Sequence, residues 1–169
     1  IASPRDGRLI KPQLRFFHAI KLPVFSISKI YDGTINPVAN RDLDQVSFCD
    51  MPSLIEPNNY AELDTLTLTK QWGSLNSQSR RLFALGLDAY QSISHTERLK
   101  NSSFSRFSGS TGVLSIKPDG KVNRQLTCAT FKNGHIKSLG LAPQLEKTNY
   151  FNPLNKGPTS QTSHQTTPL

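Results

Sequence analysis

The chain has 169 residues, with 20 Lys+Arg against 12 Asp+Glu and a formal charge of +8 at neutral pH. That length can bury one sizeable core, and no run approaches the ~18 consecutive apolar residues that a membrane-crossing helix needs. Two cysteines exclude a disulfide scaffold, and the first residue is Ile1 with no leader-like stretch, so the sequence is expected to be a processed product or a fragment.

A pI near 9.7 points first to nucleic acid or an anionic surface. The distribution of charge argues against a dedicated nucleic-acid site. Basic residues are scattered from Arg5 to Lys156, Arg80-Arg81 is the one adjacent pair, and the early group Arg5, Arg8, Lys11, Arg15 and Lys21 reads as the solvated face of a helix. No ribonucleoprotein strand, zinc finger or basic zipper is present.

Ile1 to Pro4 read as the tail of a strand. From Asp6 to Ile20, the apolar residues Ile10, Leu14, Phe17 and Ile20 step by three and four, which predicts a helix facing inward along that stripe. Pro12 belongs in its first turn or at a kink. Phe25 and Ile27 alternate with polar residues as in a short strand, Tyr31 to Asn40 carries loop chemistry, and Gln45 to Cys49 is another alternating run. Strand, helix, strand with short connections is the pattern of a parallel α/β unit.

Residues 53–77 are less regular. A helix follows, capped by Ser77 or Ser79, with Leu82, Leu85, Gly86, Ala89 and Ile93 on one face, and Gly86 is expected to permit a close backbone approach. From Phe107 the pattern changes to hairpins: Val113 to Lys117, a turn at Asp119-Gly120, a long strand from Lys121 to Phe131, and a turn at Asn133-Gly134. Residues 158–169 carry no charge apart from a titratable His164, and read as a disordered tail.

Catalytic and metal motifs do not survive inspection. Ser26-Ile27-Ser28-Lys29 matches the S-x-x-K of penicillin-binding proteins, with Ser74-Leu75-Asn76 and Lys147-Thr148-Asn149 imitating the other two motifs. That chemistry needs Ser and Lys on one helix face, whereas residues three apart on a strand point to opposite faces. His18, His95, His135 and His164 are far apart, without metal spacing. Cys128 shares a face with Val122 and Leu126, which favours a buried thiol; a disulfide to Cys49 in an oxidising compartment is neither supported nor excluded by their separation. Gly109 to Gly112 precedes a hairpin rather than a helix, so it is no phosphate loop. Asn101-Ser102-Ser103 fits a glycosylation sequon, a pattern frequent by chance.

Several segments together resemble a known family. Residues 1–52, "IASPRDGRLIKPQLRFFHAIKLPVFSISKIYDG…NRDLDQVSFCDMP", then "RRLFALGLDAY" (80–90), then "FSGSTGVLSIKPDGKVNRQLTCATFKNG" (107–134), are similar in order and spacing to the C-terminal domain of the LpoA/LppC family. These are outer-membrane lipoproteins that activate a penicillin-binding protein. The motif positions are Tyr31, Asp32 and Gly33; Asp42 and Leu43; Asp50, Met51 and Pro52; Gly86, Asp88 and Tyr90; and Gly109, Thr111 and Gly112. They are expected to be structural, and the resemblance assigns no partner- or ligand-binding residue. Where the family has Trp after Met-Pro, this chain has Ser53.

The resemblance implies an α/β fold of the type I periplasmic-binding-protein class, two lobes with parallel sheets flanked by helices. Residues 1–55 would belong to the second lobe, 56–108 would return to the first with a helix near 80–95, 109–140 would form the hairpin region of the second, and 141–169 a C-terminal extension. The first strands of both lobes would then be absent. The implied function is non-enzymatic: a periplasmic regulator of cell-wall synthesis, tethered to the outer membrane by an N-terminal lipid anchor, that binds and activates a class A penicillin-binding protein. It implies no cofactor, metal or nucleic-acid partner. A solute receptor for an amino-acid-like or sugar ligand shares the fold and the Gly109–Gly112 motif, and stands as the alternative.

Overall fold

The structure, a computed structural model, describes residues 3–60, 70–73, 75–102 and 104–144. The expected disordered tail at 158–169 and the strand residues Ile1 and Ala2 lie outside the described residues. Ser3 is a helix N-cap instead of a strand end: its hydroxyl accepts the Asp6 amide at 3.2 Å, and Pro4 takes the first position of α1 (Pro4–Phe16).

Strand β1 (Val24–Ser26) runs parallel to β2 (Val46–Asp50), with Val24 opposite Val46. Between them lie single turns of tight helix at Ser28–Ile30 and Arg41–Leu43 and the short α2 (Pro37–Asn40), whose N-cap Asn36 accepts the Ala39 amide. The short α3 (Pro52–Ile55) follows β2 directly. Helix α4 (Ser77–Ser92) is capped by Asn76, whose side chain accepts the Ser79 amide at 2.8 Å, one residue before the serines expected to do so. Helix α5 (Thr96–Asn101) leads to β3 (Phe107–Gly109), β4 (Gly112–Ile116), β5 (Val122–Gln125), β6 (Thr127–Lys132) and β7 (His135–Leu141).

The strands form two sheets. One has the order β1-β2-β6-β7, the other β3-β4-β5, and every pairing except β1 with β2 is antiparallel. The long strand expected from Lys121 to Phe131 is therefore two strands. It breaks at Leu126, and its halves join different sheets. The β6–β7 turn forms as its residues require, with Asn133 and Gly134 at φ +54° and +78°.

The core lies on one face of the larger sheet. Alternation in β2 and β6 sends Val46, Phe48, Ala129 and Phe131 inward, where Ile30, Tyr31, Leu43 and Ile55 cover them. Tyr31, Phe48 and Phe131 form a three-ring cluster with centroids 5.3–6.2 Å apart. Asp44, beside the tight turn that carries Leu43, accepts the Gly134 amide at 2.8 Å and ties the β6–β7 turn down.

Both long helices depart from their expected orientation. In α1 the buried residues are Gly7 and Lys11, while Ile10 is exposed; the helix ends at Phe16, short of the expected Ile20, and Phe17 and Ile20 beyond it are exposed as well. In α4 the buried residues are Ala84 and Asp88, while Leu82 and Leu85 face outward, as does Ile93 just past its end. No described atom approaches within 4 Å of a Cβ built on Gly86, so that glycine serves no close packing among the described residues. Periodicity identified both helices. It misassigned their inner faces because the fully buried positions are Gly7 and Lys11 in one and Ala84 and Asp88 in the other, none of them a large apolar residue.

Phe131→Ala is expected to destabilise the chain by about 3–5 kcal/mol in urea unfolding, because the ring is 1% exposed. Phe25→Ala, at a ring 75% exposed, is expected to change stability by no more than about 0.5 kcal/mol.

Candidate functional site

Helix α4 is the point at which the sequence motifs converge. Arg80, Arg81, Ala84 and Asp88 recur at helical spacing and make one inward face. Ala84 is fully buried, with Met51, Tyr60, Leu75, Phe83 and Leu87 packed around it.

Arg81 grips the end of β2. Its Nη2 lies 2.5 Å from Asp50 Oδ2 and its Nε 3.4 Å from Oδ1. The same Nη2 also donates to the carbonyls of Ser28 and Tyr31, at 3.3 and 3.2 Å. Asp50 is 3% exposed and accepts the Met51 amide as well, so its charge is balanced by a guanidinium fork and a backbone dipole. Arg80, one residue earlier, donates to the Gly33 carbonyl at 3.4 Å. Asp32 accepts the Thr34 amide at 2.9 Å, which shapes the same turn. Tyr31 is buried under this clamp. Burial raises its hydroxyl above the ordinary value, and the nearby Asp32 charge adds to the shift.

Asp88, two helical turns further on, is 2% exposed and accepts three hydrogen bonds: the Ser110 amide at 2.6 Å, the Thr111 amide at 2.7 Å and the Thr111 hydroxyl at 2.6 Å. A Cβ at position 109 would sit 2.4 Å from Asp88 Oδ2, so glycine is what lets the turn close on the carboxylate. Gly112 adopts φ +145°, and a Cβ there would meet the Gln125 carbonyl. Ser53 completes the junction by donating its amide to the Ser110 carbonyl at 3.2 Å. Its side chain is buried.

Asp88 lies on the inner face of α4, and Tyr31, Gly33, Asp50, Met51, Gly109 and Thr111 meet that face, with Asp32, Pro52 and Gly112 next to them in the same segments. Leu43 sits in the aromatic core, Asp42 on an exposed tight turn, and Gly86 and Tyr90 on the outer face of α4. The sequence reading missed Arg80, Arg81, Ser53, Ser110 and Asp44 as contributors. A signal existed for the arginines: two adjacent cations in the first turns of a helix oppose its dipole and call for acidic or carbonyl partners.

The carboxylates at this junction are engaged in structural bonds. Among the described residues, no group of three or more His, Cys, Asp or Glu could hold a metal. Two openings flank the junction. A polar cleft of about 490 Å³ is lined by Ser28, Tyr31, Asp32, Ser77 and Arg81. An apolar groove of about 780 Å³ runs along the outer side of α4, between Trp72, Leu75, Leu82, Phe83 and Tyr90.

A parallel β1–β2 pair continued by antiparallel strands, with a helix whose buried Asp grips a Gly-x-Thr-Gly turn, belongs to the α/β class of the type I periplasmic-binding proteins. The chain is similar to a solved "putative branched-chain amino acid ABC transporter" of Chromobacterium violaceum, at TM-score 0.54 and 26% identity over 76% of this chain and 40% of that one. It is also similar to the LpoA (YraM) C-domain of Haemophilus influenzae, described as a regulator of PBP1A, at TM-score 0.66 and 24% identity over 82% of this chain and 42% of that one. Residues 1–134 match the family described as "LppC putative lipoprotein", and the chain belongs to that family. A curated relative, the penicillin-binding protein activator LpoA of Pectobacterium parmentieri, is 29% identical over 138 residues, 80% of this chain and 20% of that protein. The chain therefore spans about a fifth of that relative's length.

Asp88→Asn replaces an acceptor by a donor opposite backbone amides, and is expected to cost about 2–4 kcal/mol in denaturant unfolding. Arg81→Ala strands the buried Asp50 and is expected to cost about 3–5 kcal/mol. Asp119→Asn, at an exposed pair with Lys121, should leave the midpoint unchanged.

Proposed function

We propose that this chain is part of a non-enzymatic periplasmic regulator of cell-wall synthesis that binds and activates a class A penicillin-binding protein. The observation that carries the reading is the family match over residues 1–134, with an activator among the relatives. The junction itself is compatible with that role, since its buried carboxylates hold loops in place and are not free for proton transfer. Binding the active conformation of the synthase more tightly than the inactive one would shift its equilibrium toward activity. The +8 charge would speed encounter with an acidic partner surface. A lipid anchor N-terminal to Ile1 would tether the protein to the outer membrane.

The lobe assignment follows as part of the same proposal. Residues 1–55 and 109–140 are assigned to one lobe, with 56–108 returning to the other. In support, Val24–Asp50 and Thr127–Leu141 share one sheet, whereas Gly112–Gln125 pair in the other. The polar cleft beside Tyr31 and Arg81 favours a second reading, that of a solute receptor with convergent polar groups in its cleft.

The regulator reading predicts that the immobilised protein, in its natural full length, retains a class A penicillin-binding protein at low salt and raises its rate of glycan polymerisation. Loss of both effects would overturn it. A large saturable thermal shift with an amino acid or sugar, together with no retention, would favour the receptor.

A further inference from the structure

Cys49 and Cys128 are joined by a disulfide, so the thiol expected at Cys128 is absent. They stand opposite each other in the β2–β6 ladder. Alternation places the bond on the face of the sheet away from the aromatic core: Val46, Phe48, Ala129 and Phe131 are buried, whereas Cys49 and Cys128 are each half-buried. Cys49 also lines a cleft of about 420 Å³ whose walls include Lys117, Arg124, Gln125 and Gln144. Two cations and no carboxylate line that cleft, and Cys128 is not among its lining residues.

We propose that the Cys49–Cys128 disulfide is a thiol-exchange site, opened in the folded protein by a dithiol reductant that attacks the Cys49 sulfur. The cleft gives the attacking group a path to Cys49, and its cations attract a thiolate, the form of the thiol that reacts. The thiolate sulfur bonds to Cys49 Sγ as the Cys49–Cys128 bond breaks, and the bonding pair leaves on Cys128, which takes up a proton. The second thiol of the reductant, deprotonated, then displaces Cys49. The products are two protein thiols and one oxidised dithiol. The β2–β6 ladder runs from Ser47 to Asp50 on either side of the bond, so the reduced chain is expected to keep its sheet. What it loses is the covalent lock on the strand that ends in Asp50, the residue held by Arg81.

The test uses the full chain without denaturant. Reaction with glutathione, quenched with N-ethylmaleimide and mapped by mass spectrometry, should place the mixed disulfide on Cys49 at least about fivefold over Cys128. Reduction by dithiothreitol should go to completion while the far-ultraviolet circular dichroism stays unchanged. Its rate should fall about threefold or more between roughly 0.05 and 0.5 M salt, and similarly in Arg124→Glu. If that variant does not fold, the salt dependence of the unaltered chain decides the electrostatic part. The proposal is overturned by free thiols in the untreated protein, by reduction only after urea is added, by adducts equally distributed or favouring Cys128, or by a salt-independent rate.

Discussion

Removing the Asp88 carboxylate from water would be prohibitive without donors to replace the lost hydration. Here the donors are two consecutive backbone amides and a threonine hydroxyl, all from one turn. That requirement fixes where the turn after β3 must lie relative to α4, and Gly109 leaves no side chain in the way. The turn in turn offers the Ser110 carbonyl to Ser53, which sets the start of α3. The other end of the helix repeats the solution with opposite sign, Arg81 gathering Asp50 and two carbonyls. Stretches far apart in the chain are thus positioned by polar bonds to a single helix.

A helix that docks by its polar side presents its apolar side outward. Leu82, Leu85 and Tyr90 on α4 with Ile93 just past its end, like Phe16 at the end of α1 with Phe17 and Ile20 beyond it, are exposed. Apolar faces of this extent are characteristic of surfaces that meet other protein. They accord with the proposed membership of a larger two-lobed domain, and they explain how a chain with a modest aromatic core can carry so many large side chains outside it.

Much of the fold was legible from residue patterns. Alternation in Gln45 to Cys49 and the glycine turns at 120 and 134 reported local backbone geometry, which depends on nearby residues alone. The inner faces of α1 and α4 were not legible, since hydrophobic periodicity assumes that apolar residues point inward, and here a lysine, a glycine and an aspartate do so. The break at Leu126 was equally hidden, because both halves of the run from Lys121 to Phe131 favour extended backbone, and only tertiary pairing assigns them to separate sheets. For the junction, the motif positions were identified through family resemblance, but their partners were not. Asp88 gripping Ser110 is a long-range contact without a local signature, and the Arg80-Arg81 pair signalled a need for acceptors without saying which residues supply them. The disulfide had the same standing: spacing left it open, and the β2–β6 register brought the two sulfurs together.

The position of β2 has a consequence for how the chain acquires its shape. One neighbour, β1, lies about twenty residues earlier, while the other, β6, begins at Thr127. Until that later segment arrives and pairs, the strand bearing Phe48 has one open edge and its aromatic ring lacks Phe131. Closing a loop of that size precedes any reward from the contacts it creates, so the central pairing is a slow, late event in folding. The nascent chain passes through a period in which the strand bearing Phe48 can join the wrong neighbour.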